Sequence, residues 1–345
     1  MKIHGGLAKP GILDFSSNLN PLAPPGFAIE LIRGCDYSTY PDYYYTELRA
    51  AIARFNGVNE DEVVPTNGAS EGLYASLMAA RLLGLRGCVI VSPNYGDLEF
   101  EDYCRLIGFR VTHHVMPHGE SSFTLGDVNA GEGEVVLLSN PSNPTGTLHG
   151  RDELLEIADA AGLLIVDEAY INLSDDPSMS LMGSGHGKVV VVRSLTKELG
   201  LPGLRVGYLY STNDHLVELV RAILPSWNVN NCADEVVKGV YGKYAEAYSA
   251  FLKESRTEIP RLREFLVNGL SELGFRVYAS RANFILAEAP IDAERLYGEL
   301  LNRGIAIRTP RGFIGLGGRH VRIAVRGVEH EERLISEVKG ILSRV

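Results

Sequence analysis

Short apolar runs alternate with longer amphipathic stretches along the middle of the chain. Residues 47–55 place Leu48, Ala51, Ile52 and Phe55 at helical spacing, which predicts a helix. A second helix is predicted over 70–83, directly after Asn67-Gly68-Ala69. Then a rhythm sets in. Residues 88–91 are apolar and end at Ser92-Pro93-Asn94-Tyr95, with a helix predicted over 98–107. Residues 134–138 end at Ser139-Asn140-Pro141, and 152–161 read as helix. Residues 163–166 end at Asp167-Glu168, 188–192 end at Arg193-Ser194, and 206–209 form one more run. Runs without polar alternation suit strands buried on both faces, and their alternation with helices predicts an α/β fold with a mostly parallel sheet covered by helices.

The pattern changes further on. Residues 234–270 are helical throughout, with no strand. Residues 276–278, 283–287, 305–308 and 321–325 read as strands of a second, smaller sheet, and 331–342 as a closing helix. Residues 1–45 are irregular and rich in Pro, Gly, Asn and Tyr, so they are expected to lie across the rest as an arm. Three parts are therefore expected: an N-terminal arm (1–45), a large domain (46–233) and a smaller α+β C-terminal domain (234–345).

Composition narrows the function classes. The net charge is −10 with no basic run, which argues against a nucleic-acid partner. An anionic substrate must then meet a local arginine cluster rather than a positive field. The first ten residues lack a signal peptide's apolar core, and no apolar run reaches the roughly 18 residues of a membrane span. A cytoplasmic protein without membrane contact is expected. Cys35, Cys88, Cys104 and Cys232 are far apart and form no CxxC pair, so they read as buried free thiols. Nothing implies a metal.

The polar groups after the apolar runs carry the chemistry. In an open parallel sheet, ligands sit beyond the strand C-termini, and Asn143, Asp167, Ser194 and Lys197 all fall there. A lysine at a strand end, beside hydroxyls and near a buried acid, is a candidate for imine formation. Arg205 follows Pro202-Gly203-Leu204, and two cations with two hydroxyls around one loop suit a phosphate. A buried carboxylate such as Asp167 can keep a pyridine nitrogen protonated. Each alone has a plainer reading: a solvated lysine, a helix N-cap at Asp167, a turn at Asn143-Pro144-Thr145-Gly146.

Taken together, Asn140-Pro141-x-Asn143-Pro144-Thr145-Gly146, Asp167-x-x-Tyr170, Ser194-x-x-Lys197 and Arg205-x-Gly207 resemble the fold-type-I pyridoxal-phosphate (PLP) enzymes, the aspartate aminotransferase superfamily, over nearly the whole chain. The resemblance implies PLP held by Lys197 as a Schiff base, with Lys197 also moving protons at the substrate Cα. It implies Asp167 on the pyridinium nitrogen, Asn143 and Tyr170 on the ring's phenolic oxygen, and Tyr95 stacked on the ring. Ser194, Arg205 and the backbone N–H groups of Ala69 and Ser70 would hold the cofactor phosphate. Tyr40, in Tyr40-Pro41-Asp42, would reach a partner subunit's phosphate, which implies a homodimer with shared active sites.

Within the superfamily the chain resembles the branch of histidinol-phosphate aminotransferase and L-threonine-O-3-phosphate decarboxylase. Arg322 matches the substrate-carboxylate arginine and Arg308 the arginine for the substrate phosphate, with His4 helping from the arm. Three features lean toward the decarboxylase and so toward cobalamin biosynthesis. They are His4-Gly5-Gly6 with Asp14-Phe15-Ser16-Ser17-Asn18-x-Asn20-Pro21, the 193–205 stretch, and Arg326 where the aminotransferase carries a small residue. The expected activity is decarboxylation of a small phosphorylated amino acid. The alternative is histidinol-phosphate or another aminotransfer, and a PLP fold acting as a non-enzymatic regulator would need a DNA-binding segment for which the chain has no room. The sequence leaves open which of Arg308, Arg311, Arg319, Arg322 and Arg326 point inward. Glu198, directly after the lysine, departs from the aromatic or small residue of many relatives.

Overall fold

The computed structural model describes residues 5–6, 9 and 11–344. In chain order the elements are β1 (Leu13–Asp14), α1 (Gly26–Arg33), α2 (Thr46–Asn56), β2 (Val63–Thr66), α3 (Gly68–Leu82), β3 (Gly87–Ser92), α4 (Asp97–Leu106), β4 (Arg110–Val115), β5 (Glu134–Ser139), α5 (Arg151–Ala160) and β6 (Leu163–Asp167). Next come β7 (Val189–Ser194), α6 (Leu195–Glu198), β8 (Gly207–Tyr210), α7 (Asp214–Ile223), α8 (Asn231–Tyr241) and α9 (Ala245–Glu272). The chain finishes with β9 (Arg276–Val277), β10 (Phe284–Glu288), α10 (Ala293–Asn302), β11 (Ile305–Ala306), β12 (His320–Ala324) and α11 (Val328–Leu342).

Seven strands form the main sheet in the order β2-β8-β7-β6-β5-β3-β4. All run parallel except β8, which is antiparallel to both neighbours. The unbroken apolar runs have the expected cause. Cys88 and Ile90, Val135 and Leu137, Val190 and Val192 pack on one face with α3, α4 and α7. Val89 and Val91, Val136 and Leu138, Val189 and Val191 pack on the other face with α5. Successive side chains point to opposite faces and both faces are covered, so every position must be apolar. Pro65 sits in β2, a sheet edge, where the missing N–H costs no ladder bond.

A second, antiparallel sheet has the order β12-β10-β9 and packs against Leu266 and Leu270 of α9, Leu296 and Leu300 of α10, and Leu334 and Val338 of α11. The N-terminal half of α9 belongs to a different core: Tyr248, Leu252 and Ile259 pack with α2 and α8 beside the main sheet.

Four expectations need correction. Residues 1–45 are not irregular throughout: β1 pairs in parallel with β11, and α1 buries Ala28 against the α2–α8 core. Residues 305–308 do not form one strand of the small sheet. Ile305 and Ala306 pair with the arm, and Arg308 meets Arg322 in a single antiparallel bridge. The helical stretch over 234–270 is two helices, separated at Gly242. Finally, Cys35 and Cys232 are joined in a disulfide, with Cα atoms 5.1 Å apart across 197 residues of sequence. Sequence spacing carries no information on such a contact, because α1 and α8 meet only in the folded core. Cys88 and Cys104 are free and buried, as expected.

Elements the hydropathy pattern missed include β4, whose Arg110-Val111-Thr112-His113-His114-Val115 is polar because it is an exposed sheet edge. Among the described residues, no helix is long and apolar enough to cross a membrane.

The disulfide yields a direct test. Thiol titration of the denatured, unreduced protein is expected to count two thiols, Cys88 and Cys104, rising to four after reduction. Four thiols without reductant would remove the Cys35–Cys232 bond.

Candidate active site

The parallel strands bring their polar ends to one edge of the sheet. Asp167 ends β6, Ser194 ends β7, and Asn143 follows β5. Gly207 opens the antiparallel β8, so it and the preceding Arg205 lie at the same edge. There a cavity of about 330 Å³ is lined by Gly5, Ser16, Ser17, Asn18, Ala69, Ser70, Tyr95, Asn143, Asp167, Ala169, Tyr170, Ser194, Thr196, Lys197, Arg205, Arg308 and Arg322.

Asp167 is buried, and its Oδ1 accepts from the Ala169 backbone N–H at 2.9 Å. Its carboxylate also takes the Tyr95 hydroxyl hydrogen bond and feels the Lys197 ammonium. Burial nonetheless dominates and pushes the Asp167 carboxyl up to about 6. Burial next to this anion drives the Tyr95 phenol well above its ordinary value. Asp167 is thus an anion at neutral pH, in a site that favours a neighbouring positive charge.

The start of α3 and the β7–β8 connection form an anion cup. Gly68 has φ +75°, and a Cβ there would stand 2.3 Å from Arg205 Nη2. Glycine therefore leaves the guanidinium its place over the first turn of α3. Gly207 is equally confined: a Cβ would meet Arg193 O at 2.4 Å and Ala69 N at 2.9 Å. Ser194 and Thr196 hydroxyls share a hydrogen bond of 2.8 Å at the cavity wall.

On the opposite wall stand Arg308 and Arg322, both about 6% exposed, with backbones paired. Arg322 Nη1 donates to Asn143 Oδ1 at 2.8 Å, Nη2 donates to the Ser16 carbonyl, and Nε has no partner. Arg308 Nη2 donates to Arg311 O at 2.7 Å, and its guanidinium lies 4.8 Å from the Phe313 ring centre. Burial and the neighbouring Arg322 push Arg308 down to about 10, still cationic at neutral pH.

The other arginines do other things. Arg326 donates to Asp14 O at 2.6 Å and Ser17 O at 2.9 Å, holding the arm. Arg311 and Arg319 pair with Glu294 and Glu288. Glu198 faces away from the cavity, buried against Tyr248 and Asn172.

Eleven of the residues singled out in the sequence thus line one cavity: Ala69, Ser70, Tyr95, Asn143, Asp167, Tyr170, Ser194, Lys197, Arg205, Arg308 and Arg322. Tyr40 does not. It is 76% exposed, its ring 4.5 Å from that of Trp227. His4 lies outside the described residues. The lining residues given no role in advance are Gly5, Ser16, Ser17 and Asn18 of the arm, with Ala169 and Thr196. Asn20 N donates to Lys197 O at 3.0 Å and Asn20 Nδ2 donates to Glu198 O at 3.1 Å, which straps the arm over α6. Asn18 is 1% exposed, and neither atom of its amide has a partner. The motif Asp14-Phe15-Ser16-Ser17-Asn18 carried the signal, but nothing in it says which side chain turns inward.

The pattern of the family Aminotransferase class I and II matches residues 10–335. The chain belongs to this family. A histidinol-phosphate aminotransferase of Desulfitobacterium hafniense is 32% identical over 355 residues, covering 99% of this chain and 95% of that protein. A protein of Caldanaerobacter subterraneus subsp. tengcongensis, provisionally named a threonine-phosphate decarboxylase, is 30% identical over 338 residues, covering 94% of this chain and 89% of that one. The fold matches the solved structure of histidinol-phosphate aminotransferase from Sinorhizobium meliloti in complex with PLP, with a TM-score of 0.79, 21% identity, and 95% and 89% of the two chains covered.

The protein is therefore a PLP-dependent enzyme, a decarboxylase or an aminotransferase. Its site fits the cofactor. A lysine amine, a buried carboxylate and an anion cup with a glycine-cleared guanidinium line one cavity, which are the groups that PLP's aldehyde, pyridinium and phosphate require.

Two measurements test this fit. Gly68→Ala places a methyl group where Arg205 now stands and is expected to weaken cofactor retention about tenfold or more, one charge-assisted contact. Absorbance after dialysis reads it, and full retention would separate Arg205 from the cup. Burial raises the Asp167 carboxyl to about 6, so below that pH a proton occupies the carboxylate that would face the pyridinium. Cofactor affinity is expected to be flat above pH 6 and to fall about tenfold per unit below it, with Asp167→Asn weak at every pH.

Proposed function

We propose that the protein is an L-threonine-O-3-phosphate decarboxylase, acting on a small amino acid that carries both a carboxylate and a phosphate. The observation that carries this reading is the pair of buried guanidiniums. Arg308 and Arg322 stand side by side and line the same cavity as Lys197. Two adjacent buried cations repel each other and lose hydration, a cost offset when two anionic groups enter together. Histidinol phosphate brings one anion, and threonine phosphate brings two. The 30% identical decarboxylase-named relative supports the same choice.

Lys197 would carry PLP, Asp167 would hold its pyridinium, Asn143 and Tyr170 its phenolic oxygen, Tyr95 its ring face, and Ala69, Ser70, Ser194 and Arg205 its phosphate. When bound, the cofactor supplies an electron sink for the bond broken at the substrate Cα. The chain's own residues do the rest. Arg322, aimed by Asn143 and Ser16, binds the substrate carboxylate as a fork. Arg308 binds the phosphate, held by Arg311 O and the Phe313 ring. The unpartnered Asn18 amide, with one donor and one acceptor end, completes that pocket. Arm residues close it from outside and exclude water. Lys197 Nζ returns a proton to Cα once CO₂ has left.

The aminotransferase reading keeps the cofactor contacts and Arg308 on the phosphate, and leaves Arg322 for the carboxylate of the 2-oxo acid; Lys197 removes hydrogen from Cα, and the 2-oxo acid takes up the amine. The 32% identical aminotransferase supports it. In either case the exposed aromatic segment with Tyr37, Tyr40, Tyr43 and Tyr44 would face a second copy of the chain, with Tyr40 reaching the partner's cofactor phosphate in a homodimer. Both readings place the site between a large domain and a smaller C-terminal one. The decarboxylase reading assigns the reaction to cobalamin biosynthesis.

The deciding experiment offers the PLP-loaded protein L-threonine-O-3-phosphate in one vessel, and histidinol phosphate with 2-oxoglutarate in another. CO₂ without glutamate is expected. Glutamate without CO₂ would make the enzyme an aminotransferase. In the active assay, Arg308→Ala is expected to raise KM for the phosphorylated substrate by a factor on the order of 10–100, the loss of a charge-assisted contact of about 1.5–3 kcal/mol, with kcat little changed.

A further inference from the structure

Asp97 opens α4, two residues after Tyr95, and is completely buried. Its Oδ1 accepts from Ser92 Oγ at 2.6 Å. Its Oδ2 accepts from two backbone N–H groups of different parts of the fold, Asn94 at 2.9 Å and Ile314 at 2.8 Å. Asn94 belongs to the loop that presents Tyr95 to Asp167. Ile314 belongs to the loop after Arg308, which supplies the Arg311 carbonyl and the Phe313 ring that hold the Arg308 guanidinium. The same loop comes close to the main sheet at Gly315, where a Cβ would stand 2.7 Å from Val115. One carboxylate thus joins the loop of the ring-facing tyrosine to the loop of the phosphate-facing arginine.

We propose that Asp97 is a positioning residue: it pins the 311–317 loop to the main sheet and so sets how far Arg308 stands from the cofactor side of the cavity. The inference rests on the assignment of Arg308 to the substrate phosphate. Three donors converge on the carboxylate, and Ser92 also touches His113 Nδ1 at 2.9 Å, whose Nε2 lies 3.3 Å from Glu101. The anchor is therefore itself held from behind by the strand end and α4. Without it, the loop keeps its local turn, Phe313 N to Pro310 O, but loses its hydrogen bond to the start of α4. Arg308 would then keep its charge and lose its fixed place, which affects binding of the distant phosphate more than the bond-breaking step at Cα.

The test uses the holoenzyme and two variants that cut the same bond from opposite sides. Asp97→Ala removes the acceptor, and Ile314→Pro removes the donor while leaving Asp97 with Ser92 and Asn94. Each is expected to raise KM for L-threonine-O-3-phosphate about tenfold, the worth of one hydrogen bond to a charged group, with kcat within about twofold. Combined with Arg308→Ala, either variant is expected to add almost nothing, because Asp97 acts through that guanidinium. A merely structural defect would add its full effect in the double variant, and that result would overturn the proposal. Hydrogen–deuterium exchange gives a readout independent of substrate: peptides covering 311–317 exchange faster in both variants, while those covering β6 and β7 do not. Unchanged exchange over 311–317 in both variants sinks the latch. Exchange that rises as expected while Arg308→Ala leaves KM untouched removes the phosphate assignment instead.

Discussion

A guanidinium taken out of water must find oxygen acceptors, and Arg322 finds them in two other parts of the fold. From β12 it reaches Asn143 beyond the main sheet and the carbonyl of Ser16 in the arm. Leaving a buried cation unpaired costs several kcal/mol, so neither the arm nor the small sheet can drift from the main sheet without exposing or stranding this charge. Arg326, four residues on and just past the end of β12, repeats the device on Asp14 O and Ser17 O. These two arginines tie three separate stretches of chain together beside the cavity that Lys197 lines.

That arrangement also reconciles an acidic protein with an anionic ligand. A net charge of −10 offers no long-range attraction to phosphate. The positive charge is concentrated instead: Arg205 over the first turn of α3, Arg308 and Arg322 side by side on the facing wall, Lys197 between strand end and arm. In a buried setting such charges act at short range with little screening. Asp167 is the counterweight, a carboxylate raised to about 6 by burial yet ionised at neutral pH. Cationic side chains and a buried carboxylate sit in one pocket, sorted by position rather than by net charge.

Much of this was legible along the chain. The paired-face burial of β3, β5, β6 and β7 leaves an apolar run each time, and in a parallel sheet the residue after such a run lies at the ligand edge. Asp167, Ser194 and Lys197 could be placed at a site from that rule alone. The polar edge strand β4 escaped because exposure gives it no hydrophobic signature. Helix α1 escaped because Pro and Gly around it mask a short amphipathic turn.

The sequence by itself determined the sheet, the order of the motifs and the chemistry available at its edge, because those depend on the local period of apolar residues and on side-chain type. The tertiary structure alone decided which charges face the ligand. Of five nearby arginines, Arg308 and Arg322 turn inward, Arg326 grips the arm, and Arg311 and Arg319 pair outside. It alone decided that Asn18, with its side-chain amide unpartnered, lines the cavity and that Cys35 bonds to Cys232. These outcomes rest on contacts between residues up to 312 positions apart. No local pattern encodes them, since they follow from which strand pairs with which and how each side chain finds an acceptor once water is gone.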